Sequence, residues 1–271
     1  MKSYREFIKE SRNSIEFICK EYRITNYTIN SDGSIDVDGD VDLSEKRITK
    51  LPLKFRNVSG DFYCLDNQLT TLKGCPQKID GDFNCSDNQL TTLEGSPRSV
   101  GGDFDCLRNQ LTNLEGSPQS IDGNFYCSNN KLTTLKGCPQ SVGGGFYCSY
   151  NQLTTLGGSP QSVGGNFNCS DNQLTTLEGG PQTVGGYYYC SDNQLVNLNG
   201  FPEDFEGYIS LGGNPVKEIY DLFKNVKCIR WINEFDVIQG NKVVLDRLEE
   251  VYHQLGMDIP ENIELTHYEI I

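Results

Sequence analysis

The chain has 271 residues and a formal net charge of −14. Such acidity repels phosphates, which argues against nonspecific binding of nucleic acid or of an anionic membrane. It has no run of 18 apolar residues, and no charged-then-apolar leader precedes the first repeat, so neither membrane spanning nor secretion is expected.

Residues 3–22 read as an amphipathic helix, with Tyr4, Phe7, Ile8, Ile15, Ile18 and Tyr22 on one side. "NYTINSDGSIDVDGDVDL", residues 26–43, follows with Ile35, Val37, Val41 and Leu43 alternating against Asp36, Asp38, Asp40 and Asp42. That period of two places the apolar set inward and the carboxylates in solvent, where they discourage strand addition. Calcium is not expected there: with Asp36 as first ligand, Val41 and Arg47 fall where an EF-hand loop needs glycine and glutamate.

The centre of the chain repeats. Cys64, Cys85, Cys106, Cys127, Cys148, Cys169 and Cys190 are spaced 21 residues apart, the first six within the phrase F-x-C-x-x-N-x-L-T-x-L and the last with Tyr188 and Val196 in place of its Phe and Thr. Leu43 and Leu211 extend the phase to nine turns. Other columns keep step: Val37 to Phe205, Val41 to Ile209, asparagine from Asn67 to Asn214, and two leucine series ending at Val216 and Ile219. A fixed period of this length means one unit stacked on copies of itself, hence a solenoid. The Phe-x-Cys alternation predicts a short strand with both side chains inward, and the preceding glycines and following proline break any regular element. Strands paired in parallel about 4.8 Å apart make a sheet roughly 40 Å long. The remaining residues of each turn are too few for a helix, so the return side is expected to be irregular or one turn of 3₁₀.

A solenoid needs caps at both ends. From residue 215 the glycine repeats stop and helical periodicity begins: "PVKEIYDLFKN", "VKCIRWINEF" and "NKVVLDRLEEVYHQLG", the last with Asn241 as expected N-cap and Gly256 as stop. Trp231 is expected to cover the last strand. Val244, Leu245, Leu248, Val251, Tyr252 and Leu255 form one apolar face. The cysteine column reads as reduced, structural thiols, because ligands in a column point the same way and cannot enclose a tetrahedral metal. No metal or other cofactor is expected. Cys75 and Cys138, at a loop position, read as incidental.

The repeat resembles the leucine-rich repeat, L-x-x-L-x-L-x-x-N-x-L, with Phe and Cys in the strand leucine positions, and "NQLTTLEGSP" is similar to the short repeats of bacterial effector proteins. The resemblance covers residues 37–219. It implies a curved solenoid with a parallel sheet on the concave face and the asparagine amide bonded to backbone inside the bend. Some such effectors carry a C-terminal ubiquitin-ligase domain; this tail is too short for one. "MKSYREFIKE" resembles the capsid-targeting sequence of internal head proteins in T-even-like tailed phages, and the cap and tail wording also resembles phage leucine-rich proteins. The resemblance implies cleavage after Glu10, before Ser11. Both readings of this segment, targeting sequence and docking helix, stay open. The organisation expected is a targeting segment at 1–10, an N-terminal helix and hairpin cap at 11–36, nine repeats at 37–219 and a helical cap at 220–271.

Catalysis has little support. His253 and His267 lie in the tail away from any nucleophile, and the Gly-Gly pairs precede strands rather than helices. The outward strand positions differ between repeats and are the candidate partner-binding residues: Tyr63, Asp66, Asp82, Asp103, Asp105 and Arg108 in an acidic first half, then Tyr126, Tyr147, Tyr150, Tyr187, Tyr189 and Tyr208 in a tyrosine-rich second half. Tyrosine offers rigid area with a polar tip. The expected function is a non-enzymatic module binding a protein with a basic patch beside an apolar one. Two alternatives stand beside it: an internal head protein ejected with DNA to inhibit a host or defence protein, and a virion structural or glycan-adhesive protein. The phage resemblance implies residence in the host cytoplasm or the virion head. Nothing in the pattern specifies an oligomeric state.

Overall fold

The computed structural model describes residues 14–271. Nine two-residue strands, from Val41–Asp42 through Phe62–Tyr63 and Phe125–Tyr126 to Ile209–Ser210, form one parallel sheet in chain order. Registers such as Phe62↔Phe83 and Phe125↔Phe146 show that every residue stacks on its counterpart 21 positions on. The chain is thus a solenoid of the leucine-rich-repeat type.

The inward columns explain why. Phe62, Phe83, Phe104, Phe125, Phe146 and Phe167 are fully buried, as are the seven repeat cysteines. Consecutive rings from Phe62 to Tyr188 lie 5.0–5.9 Å apart between centroids, a stack that runs along the core. Both leucine columns are buried behind them. Each such side chain contributes roughly 1.5–3 kcal/mol by leaving water.

The asparagine column closes the bend after the strand. Asn67 Nδ2 donates to the carbonyls of Leu43, Cys64 and Leu65, while its Oδ1 accepts from the amides of Lys46 and Ile48. The same pattern recurs up to Asn214. One residue earlier the backbone is left-handed in turn after turn, from Asp66 at φ 50° to Asp192 at φ 54°.

The return side differs from expectation. Every turn but the last carries a second short strand in the Val/Ile column, and these make parallel ladders of their own. Phe55–Val58, Lys78–Ile79, Ser99–Val100 and Ser120–Ile121 continue the N-terminal hairpin Tyr27–Ile29/Ile35–Val37, whereas Ser141–Val142, Ser162–Val163 and Thr183–Val184 form a separate three-stranded sheet. The glycine pairs are corners between the two ladders. A Cβ on Gly164 would lie 2.0 Å from the Gly143 carbonyl oxygen of the turn before, so no side chain fits. Among the described residues no 3₁₀ helix occurs. Return-side amides bond between turns instead, as in Gln89 N to Leu69 O at 2.9 Å and Gln110 N to Leu90 O at 2.8 Å. Cys75 and Cys138 are not incidental: both are buried at an inward corner of this side. Ser159 occupies the same corner, and its hydroxyl bonds to Gly179 O.

At the N-terminus residues 14–21 are helical, with Ile15 and Cys19 buried, Ile18 and Tyr22 packed against the core, and Phe17 exposed. Ile35, Val37, Val41 and Leu43 face inward as their alternation predicts. At the other end, helices Lys217–Phe223, Cys228–Glu234 and Leu245–Leu255 pack with a small sheet, Ile238–Gln239, Lys242–Val243 and Glu269–Ile270. Asn233 Nδ2 donates to Leu198 O and the Tyr268 hydroxyl to Val196 O, which docks this cap on the last repeats. Gly256 ends the third helix in a left-handed conformation. Asn241 is not its N-cap: Lys242–Val243 is drawn into the small sheet, so the helix starts after extended Val244. Trp231 stacks on Phe235 within the cap at 5.5 Å.

Candidate interaction surface

Residues beside the inward columns form one wall along the nine-stranded sheet. Its first half is acidic, and four carboxylates of one column there have an internal task. Asp82 Oδ1 accepts from the Asp103 amide at 2.7 Å, and Asp103 Oδ1 accepts from the Asn124 amide at 2.7 Å. Asp40, Asp61, Asn124 and Asn166 do the same for the next turn. The column before the phenylalanine is therefore a second hydrogen-bond ladder, which a reading of charge alone missed. Its sequence signal was the restriction of six consecutive turns, Asp40 to Gly145, to Asp, Asn or Gly.

Tyr63 and Asp105 occupy the position between phenylalanine and cysteine and are half-buried. The Tyr63 hydroxyl donates to Asp61 Oδ2 at 2.7 Å, and that bond, reinforced by burial, pushes its pKa up to about 12. Burial and the charges of Asp87 and Asp103 push the Asp105 carboxyl above the ordinary carboxylate range, against a hydrogen bond from the Leu107 amide. Asp66, Arg108 and Tyr150 stand at the bend that ends the strand, at φ 50°, 49° and 54°. They are lip residues, not strand residues. Arg108 pairs with Asp87 of the preceding turn at 3.5 Å. Tyr150 is 58% exposed in a backbone region that bulky residues avoid.

The tyrosines form two groups. Tyr126 and Tyr147 stack on adjacent strands with centroids 4.8 Å apart and planes 10° apart. Gly145 makes this possible, because a Cβ there would meet the Tyr147 ring at 2.7 Å. Tyr187, Tyr189 and Tyr208 form a second group two turns on. Between them sits the Asn166–Asn168 turn. Glu10 and Ser11 lie outside the described residues.

Elsewhere the titratable groups serve the fold. All eleven cysteines are free and buried, and burial pushes Cys228 up to about 12, opposite to the shift that activates a thiol nucleophile. The N-terminal aspartates have protein partners: Asp32 with Lys54, Asp36 with Arg56 and Asn57, Asp38 with Ser59, Asp42 with the Ser44 amide. Among the described residues no group of three or more His, Cys, Asp or Glu side chains is placed to hold a metal ion. None of their helices is long and apolar enough to cross a membrane. His267 pairs with Glu218 at 2.6 Å, inside the C-terminal cap. A groove of about 990 Å³ separates that cap from the return side of the last turns, lined by Gly180, Phe201, Asp204, Arg230 and Asn233 among others.

No family model matches this chain, and no curated protein matches it. Among solved structures the chain is similar to YopM, a leucine-rich effector protein from Yersinia pestis, at 18% identity over 65% of this chain and 66% of that one, with a TM-score of 0.30. The repeat fold is established by the ladders themselves. A long wall of side chains that vary from turn to turn runs beside the buried core columns.

Proposed function

We propose that this protein is a non-enzymatic interaction module that binds a protein partner along the strand wall, preferring a basic patch beside an apolar one. One observation carries the reading: five tyrosines in two groups along one face whose opposite side is fully buried. Such rings supply large contact area at little entropic cost, and the carboxylates of the first half suit a cationic partner. The test is paired substitution. Tyr126→Ala with Tyr147→Ala should sharply reduce capture of the partner while circular-dichroism melting stays within a few degrees of the parent, since neither ring enters the core. Undiminished capture by the folded variant would overturn the assignment of this wall.

The wording of residues 1–10 supports a tailed-phage source and packaging into the virion head. Mass spectrometry of purified virions should then find a mature chain starting at Ser11. A chain retaining residues 1–10 in the virion would contradict the processing step, and absence from virions would contradict packaging.

A further inference from the structure

The last turns of the wall carry a patch whose chemistry is more specific than the rest. Tyr187, Tyr189 and Tyr208 lie 5.9–6.4 Å apart between centroids, with planes 62–85° apart. Tyr187 and Tyr208 remain 51% and 58% exposed, so ring faces are open to solvent. Beside them Ser191 and Ser210 share a hydroxyl–hydroxyl bond of 2.6 Å.

Glycine ends the patch. In every earlier turn the two residues after the cysteine column carry side chains, but the last turn has Gly212 and Gly213. A Cβ on Gly212 would be in ordinary van der Waals contact with Ser191 Oγ at 3.6 Å. A Cβ on Gly213 would lie 2.4 Å from Asp192 Oδ1. The glycines thus leave the end of the wall bare and let the Asp192 carboxylate lie across it.

Charge completes the site. Asp171 and Asp192 occupy the bend position of successive turns, and among the described residues neither has a Lys or Arg partner. Burial, with the nearby Asp192 charge, raises the Asp171 pKa against a hydrogen bond with Tyr150. Earlier in the array the same bend position holds Arg108, which neutralises Asp87 one turn below. At the C-terminal end the carboxylates are present and the guanidinium is missing.

We propose that this patch binds arginine side chains from an extended segment of the partner protein, guanidinium groups stacking on the exposed tyrosine faces and pairing with Asp192 and Asp171 at the bends of these last turns. The proposal rests on the wall being a protein-binding surface and names the chemistry it recognises there. Arginine suits the site better than lysine because its planar group stacks on a ring while its edge bonds a carboxylate.

The test uses the full chain carrying fluorotyrosine, titrated by NMR with three Gly-Ser peptides that differ only in two arginines, two lysines or two citrullines. The arginine peptide should shift the Tyr187, Tyr189 and Tyr208 resonances saturably, and citrulline, which keeps the shape but not the charge, should bind about tenfold weaker or less. Asp192→Asn should weaken the arginine peptide several-fold, and Tyr187→Ala with Tyr208→Ala should abolish its binding, both with unchanged melting temperature. Equal binding of arginine and citrulline peptides, or shifts confined to Tyr126 and Tyr147, would overturn the proposal. Loss of partner capture in the Tyr126/Tyr147 variant, with no response of the three C-terminal tyrosines to arginine, would remove this inference alone.

Discussion

Asp105 shows how one position on the wall is held between stability and charge. It occupies the column that holds Asn84 and Asn168 in other turns, and in all three the side-chain oxygen accepts the amide two residues on. Asparagine keeps that bond without the charge. Because the folded carboxyl titrates above its unfolded value, the ionised form destabilises the fold, fully so above the folded pKa and not at all well below about 4. Asp105→Asn should therefore raise the melting temperature at pH 7, and the gain should shrink to nothing as pH falls toward 3. A gain that persisted unchanged at pH 3 would show that charge is not its cause. The retained aspartate is consistent with an acidic face kept for a partner at some expense in stability.

Among the elements, the asparagine ladder carries the bend. Asn130 Nδ2 donates to Cys106, Cys127 and Ser128 carbonyls and its Oδ1 accepts from the Leu111 amide. Asn130→Ala strands these groups inside and should cost on the order of 3 kcal/mol in denaturant unfolding. Exposed Gln110→Ala should cost no more than about 0.5 kcal/mol. Equal effects of the two would refute the ladder's role. This ladder was legible in the sequence because a polar residue fixed at a 21-residue period within apolar columns has to be bonded inside. The second strand was not legible. "SV" is two residues long, and its partners lie 21 positions away, so no local alternation marks it. The internal task of the aspartate column was missed for a related reason: a carboxylate at a strand edge looks the same whether it faces solvent or the next turn's amide. Asn241 failed as a cap because tertiary pairing with Glu269–Ile270 overrode a local signal.

At the scale of the whole molecule, one core runs unbroken from Ile15 in the N-terminal cap through the repeats to Tyr268 in the C-terminal cap. Each turn buries its columns only against its neighbours, so burial, register and the direction of the wall are one property. The direction of the tyrosines follows from that of the phenylalanines and cysteines, and the two candidate stations on the wall inherit it. The eleven buried thiols report on this arrangement along its length, from Cys19 to Cys228. Native-state alkylation followed by mass spectrometry is the most direct measurement. The columns predict that the repeat cysteines resist modification together and become reactive together only when the array unfolds. Rapid labelling of that series in the folded protein would mean that the columns face solvent, and the tyrosine wall could not stand where it has been placed.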